Sequence, residues 1–254
     1  MNTIFTVARN TFRETIRNKV LYNILLIAFA ALVLSMSFGD LSLFSRAQVM
    51  ADFGLATMSV TGLLLAVFIG VGMLGQEVAN KTVYAVLTKP VDRDMFIFGK
   101  FLGLSATLLL NLVLIAIVFY ISIFMMGIAL KITTFYAVLL ILVEMAVIVS
   151  AAIFFSTFTT PALAAIFTIG FYVTGHLNDL LNIGDEQKNS VVWSLMLKVI
   201  YFVLPNLEHF NIRSRIVYDL GIPDGYIAGA VLYGVLYASL LLIFSILIFN
   251  RKDL

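Results

Sequence analysis

Residues 76–100 read QEVANKTVYAVLTKPVDRDMFIFGK, and the stretches flanking this charged island decide the fold. Residues 53–75 before it and 101–130 after it carry no charge. Each flank exceeds the ~20 residues that an α-helix needs to cross the hydrocarbon of a bilayer. The island therefore lies outside the membrane, between two spans. Pro90 disfavours helix at Lys89, and Asp92 is placed to cap a new helix, so the stretch predicts helix, tight break, helix. A corner mounted on the ends of two membrane helices is a rigid lever, and a soluble partner could push it.

Composition agrees with this reading. Of 254 residues, 62% are hydrophobic and 12% charged, against roughly 25% charged in soluble domains. That excludes an ordinary soluble protein. A formal net charge of +2 is too small to suggest nucleic acid as a partner. The absence of cysteine excludes disulfides, thiolate metal sites and a cysteine nucleophile. No cleavable secretory signal is predicted, because the basic stretch 9–19 precedes a span with no small-residue cleavage pattern after it.

Taken in order, the chain opens with a predicted amphipathic helix over 2–18. Ile4, Ala8, Phe12 and Ile16 form one stripe and Arg9, Arg13 and Arg17 another, both at helical spacing. Such a helix, leading into Lys19, suits the membrane interface, with its apolar face at the acyl boundary and its arginines at headgroup phosphates. A positively charged lead-in without fixed structure is the alternative. Span one covers about 20–38, followed by a helical extension outside the membrane over 41–52. Span two ends at Gly75, its Gly62, Gly70, Gly72 and Gly75 allowing close helix approach. Span three covers about 101–127, Lys131 marks a short turn, and span four covers 133–158. Pro161 starts span five. Residues 179–225 are a long polar–apolar segment, in which 191–204 reads as an interfacial or re-entrant helix and 205–215 as an ordered loop. Span six covers about 226–249.

Six spans put both termini on one side of the membrane. That side holds ten lysines and arginines, at 9, 13, 17, 19, 81, 89, 93, 100, 251 and 252; the other holds six, at 46, 131, 188, 198, 213 and 215. The positive-inside rule then places the termini and the island in the cytosol.

No enzyme motif is present. Gly99–Lys100 lacks the earlier glycine and the following hydroxyl residue of a phosphate-binding loop. His176 and His209 have no ligand-spaced neighbours, so they read as polar residues at a membrane–loop boundary rather than as a metal site. Glu144 stands out. It lies roughly 17 Å along span four from Thr133, while Asn111 lies about 15 Å from the opposite end of span three. The two residues can therefore share a depth. An intramembrane carboxyl needs a partner or a water-filled cavity. Glu144 is accordingly either part of a substrate or proton path, or a protonated acid hydrogen-bonding Asn111 as interhelical glue. With no nucleotide site and one intramembrane carboxyl, the chain reads as a subunit rather than a complete pump.

The island pattern E-x3-KT-x5-TKPV-x-R-x5-GK, the Arg17–Asn18–Lys19 end of the N-terminal helix and the F-x-R-K-D-L ending resemble the permease subunits of type-2 ABC transporters. The subgroup most similar includes permeases associated with maturation of the copper sites of nitrous oxide reductase. The resemblance implies a single all-α permease domain over 1–254, in which 1–19 is a connecting helix, 76–100 a cytosolic coupling segment and 179–225 an extracytoplasmic gate. It further implies a homodimer in the bacterial inner membrane with two ABC ATPase subunits. ATP and magnesium would sit on that partner, and this chain would hold no cofactor. Glu77, Lys81, Thr82, Lys89, Pro90 and Arg93 would face the ATPase or stiffen the lever. Two other readings stay open at this point: a stand-alone transporter or channel using Glu144, and a non-transporting scaffold.

Overall fold

The computed structural model describes residues 3–41, 46–79, 92–129, 131–177, 204–218 and 220–251. These form α1 (Thr3–Ile16), α2 (Lys19–Leu41), α3 (Arg46–Ala79), α4 (Arg93–Met125), α5 (Ile132–Phe158), α6 (Pro161–His176), a 3-10 turn (Leu207–Phe210), α7 (Arg213–Val217) and α8 (Tyr226–Arg251). The described part of the protein is all helical. An apolar solvent demands this, since a helix satisfies its backbone polar groups internally.

α3, α4, α5 and α8 are each long and apolar enough to cross a membrane alone. α1 and α2 form a bent pair with an angle of 61° between their axes. The bend sits at Asn18, whose Oδ1 accepts a hydrogen bond from Val20 N at 3.0 Å and so caps the start of α2. α6 has only 16 residues, about 24 Å of helix, and falls short of a ~30 Å hydrocarbon core. It begins at Pro161, where proline suits the first helical turn.

The ends of the island continue the neighbouring helices. α3 has 34 residues and α4 has 33, about 50 Å each, so both overrun the hydrocarbon. α3 absorbs residues 46–52, expected as a separate extension, and 76–79 of the island. Residues 93–100 form the first turns of α4. Asp92 occupies the N-cap position of α4, but its side chain makes no capping bond.

α5 is the central helix. It is apolar all round, the mark of a buried helix, and Leu140, Ile148, Ala151, Ala152 and Ile153 are wholly enclosed. α3 packs on it through Gly62 and Gly70, where an added Cβ would come within 2.9 Å of Met145 and Ala152 respectively. Gly72, expected to serve the same purpose, faces open space. Several buried hydroxyls are satisfied within their own helices, while those of Ser105, Tyr120 and Ser156 have no partner among the described residues. Thr107, Thr168 and Ser245 donate to the carbonyls of Gly103, Ala164 and Leu241 at 2.7–2.9 Å, the usual i−4 arrangement. Leu26, Phe29, Ile117, Leu236 and Ile243 are exposed on the outer faces, where lipid is the natural solvent.

α1 is amphipathic, with Arg9, Arg13 and Arg17 exposed. Its apolar side, however, faces protein. Thr11 and Thr15 are buried, while Ile4, Ala8, Phe12 and Ile16 are only half-buried. The deepest stripe of α1 meets Gly99 and Gly103 of α4. A Cβ on Gly99 would lie 2.7 Å from Val7 Cβ, and one on Gly103 would lie 2.6 Å from Ala8 O. Two glycines four residues apart let the helix backbones touch, so α1 docks on α4 where an open acyl-facing surface was expected.

At the end of the bundle away from the termini, residues 204–218 fold back among the helices, in keeping with the ordered loop expected at 205–215. Leu207, Phe210 and Ile212 are buried. Asn206 N donates to Tyr233 Oη at 2.9 Å, and Tyr226 Oη donates to His209 O at 3.0 Å. Both bonds tie the segment to α8. The interfacial helix expected at 191–204 lies, apart from Leu204, outside the described residues.

Candidate functional site

Two places gather the polar residues that the sequence singles out. The first is the termini end of α4. Arg93 Nη1 donates to the carbonyls of Phe249 and Asn250, each at 3.2 Å. A cation there complements the negative end of the α8 dipole and its unpaired carbonyls. Asn250 Nδ2 donates to Asp94 Oδ1 at 2.8 Å, and the rings of Phe96 and Phe249 stack at 6.1 Å. Lys100, expected to lie with the solvated island, is 4% exposed, its ammonium 5.6 Å from the Phe96 ring centroid. One turn further along, Gly99 and Gly103 carry α1. The opening of α4 is thus a hub joining α1, α8 and the chain that leaves the island.

The other residues assigned to the partner-facing set divide in two. Glu77 lies in the last turn of α3. Lys81, Thr82, Lys89 and Pro90 lie outside the described residues. The basic residues of the N-terminal stripe, Arg9, Arg13, Arg17 and Lys19, are exposed.

The second place is a cavity of about 90 Å³ in mid-bundle, lined by Ser59, Glu144, Tyr172, His176, Asn211 and Arg213 among apolar neighbours. Glu144 is 2% exposed, and its Oε1 has no hydrogen-bond partner among the described residues. The expected bond to Asn111 is not made. Asn111 Nδ2 instead donates to Thr107 O of its own helix at 2.7 Å. What faces Glu144 is His176, with Nε2 3.4 Å from Oε1. Tyr172 Oη and Ser59 Oγ are 3.1 Å apart and share a hydrogen bond. At the rim, Arg213 Nε lies 3.0 Å from Asp52 Oδ1. Ser59 and Asp52 come from α3, Glu144 from α5, Tyr172 and His176 from α6, and Arg213 from α7. Among the described residues, no three His, Cys, Asp or Glu side chains are grouped as metal ligands.

His176 was legible by a count from the other end of span four. Glu144 lies 14 residues before the end of α5, and His176 lies 15 residues beyond the start of α6. Both are therefore roughly 21–23 Å from the turn at 159–160. Because α6 is short, its last residue stays at the depth of Glu144. Asp52 and Arg213 gave no such signal, since their meeting depends on how residues 204–218 fold back.

These features define an integral membrane protein: among the described residues, an all-helical bundle of apolar spans with charged groups gathered at its ends and around a partly open cavity. The chain belongs to the ABC-2 family transporter proteins, whose family model matches residues 5–254. It is accordingly a membrane permease of the ABC transporter class, which works with an ABC ATPase. No curated protein matches the chain.

Proposed function

We propose that this chain is the membrane subunit of an ATP-driven exporter, forming the translocation path by alternating access as a separate ATPase closes on ATP. The observation that carries this reading is the hub at the start of α4. Residues 93–103 touch both the end of α8 and the docked face of α1, so a force applied to residues 76–92 is delivered to three helices at once. An ATPase can drive the permease only through contacts that differ between its states, and the island is the segment best placed to make them. In this reading the ATPase binds ATP and magnesium, two copies of it serve a permease homodimer, and the termini and island face the cytosol of a bacterial cell. Similarity to the nitrous oxide reductase maturation subgroup is carried by the island motif and leaves the cargo open.

The test is to recover the tagged permease from its native membrane in mild detergent and identify what accompanies it. An ABC ATPase in equal proportion is expected, and Glu77→Ala combined with Lys81→Ala should reduce its recovery without unfolding the bundle. Recovery of the permease alone, under conditions that keep a known transporter intact, would overturn the proposal.

A further inference from the structure

We propose that Glu144 and His176 form a proton-binding site, in which one exchangeable proton is held between Glu144 Oε1 and His176 Nε2 and reaches them through the polar cavity from the Asp52–Arg213 rim.

The geometry sets the count of protons. His176 Nδ1 lies 3.2 Å from Tyr172 O. A carbonyl can only accept, so the ring nitrogen that bonds it carries the hydrogen. This assigns the tautomer and leaves Nε2 as the nitrogen that gains or loses a proton. Nε2 faces Glu144 Oε1 at 3.4 Å, and that oxygen has no hydrogen-bond partner among the described residues. With no proton between them, a nitrogen lone pair opposes a carboxylate oxygen inside a low-dielectric bundle. With two, the acid's hydrogen is displaced to Oε2 and an imidazolium faces only a neutral carbonyl oxygen, leaving a net positive charge in the low-dielectric bundle. With one, the pair is either a neutral acid bonded to imidazole or a carboxylate bonded to imidazolium, and both are attractive. A single proton is the state that satisfies the buried atoms.

The surroundings supply a route. The cavity of about 90 Å³ is well above the ~10–15 Å³ that admits a water molecule, and the hydroxyls of Ser59 and Tyr172 line it. His176 is partly open, its side chain 23% exposed. Charged and titratable groups face the pair from each packed element: Asp52 from α3, Tyr172 from α6, Glu208 from the 3-10 turn and Arg213 from α7. On the α8 side, Tyr233 lies behind Phe210, the two rings tilted with centroids 6.1 Å apart.

The proton is taken from water in the cavity and returned to it. While it is held, the pair ties α5 to the end of α6 beside Phe210 and Ile212. As pH rises through its release, attraction becomes repulsion and this tie is lost. The packing of residues 204–218 beside the pair is therefore linked to one proton and is favoured at lower pH.

The experiment uses the whole chain in lipid nanodiscs without any ATPase, so its failure would leave the exporter reading standing. The sequence has two histidines, so ¹⁵N-histidine labelling gives two imidazole signal sets, assigned with His209→Gln. From about pH 5 to about pH 9, His176 should keep its Nδ1 proton. Its Nε2 signal should titrate in one step, which Glu144→Gln displaces by about one pH unit or more, a tenfold change in proton affinity. If Glu144→Gln fails to accumulate, Glu144→Asp, which withdraws the carboxyl by one methylene, should also displace the step. An unprotonated Nδ1 in the wild-type protein, or an Nε2 titration that coincides in wild type and variant, overturns the proposal.

Discussion

The seam between α1 and α4 gives the sharpest test of the packing. In Gly103→Ala the new methyl would stand 2.6 Å from Ala8 O and 2.7 Å from Thr11 Cβ. Non-bonded heavy atoms settle at about 3.5 Å or more, so α1 has to retreat by roughly 1 Å. The neighbours are a backbone carbonyl and a Cβ, neither of which can swing aside. The strain is of the overpacking kind, about 1–3 kcal/mol, and adding Gly99→Ala, aimed at Val7 Cβ and Ile4 O, should increase it. α1 carries Arg9 and Arg13 on its exposed face, with Arg17 just beyond, and trypsin can cut there once the helix leaves α4 and frays. Every 1.4 kcal/mol is tenfold in the open population, so cleavage at these arginines should quicken by about tenfold or more in detergent-solubilised protein. Gly170→Ala, with nothing within 4 Å of the new methyl, is the control and should cleave at the wild-type rate. A Gly99→Ala/Gly103→Ala double variant that cleaves no faster than wild type would refute the tight seam.

Two further outcomes follow from the same geometry. Arg93→Ala removes the donor to Phe249 O and Asn250 O; charged hydrogen bonds contribute ~1.5–3 kcal/mol when protected, and partial exposure reduces this to about 1 kcal/mol. Hydrogen exchange should accelerate in the last turns of α8 and stay unchanged in α5. Gly234→Ala directs its methyl at Val143 Cγ1 and, at 3.1 Å, at the Phe210 ring, costing about 1–3 kcal/mol. Gly229→Ala meets nothing within 4 Å and should gain ~0.5–1 kcal/mol in a helix interior, so the two variants should bracket the wild-type Tm.

Much of this protein was legible in its residues taken one after another. Charge-free runs longer than a bilayer's width specify helices in lipid, because hydrocarbon leaves the backbone no other partner. Pro161 marks a helix start through local chemistry, and the arginine stripe of α1 is a periodicity. Those signals need no knowledge of the rest of the chain.

What the tertiary structure decided is which surfaces meet. Counting along helices places Glu144 at one depth, yet Asn111 and His176 both reach that depth from opposite ends. The choice between them rests on how each helix is rotated about its axis, which close packing determines. Asn111 turns inward and bonds its own helix, while the short α6 brings His176 to Glu144. Gly99 at the end of the island and Gly103 in span three likewise gave no sign of a helix seam until α1 lay across them. Depth follows from residue count and a rise per residue; rotation and partner follow only from the whole set of helices packed together.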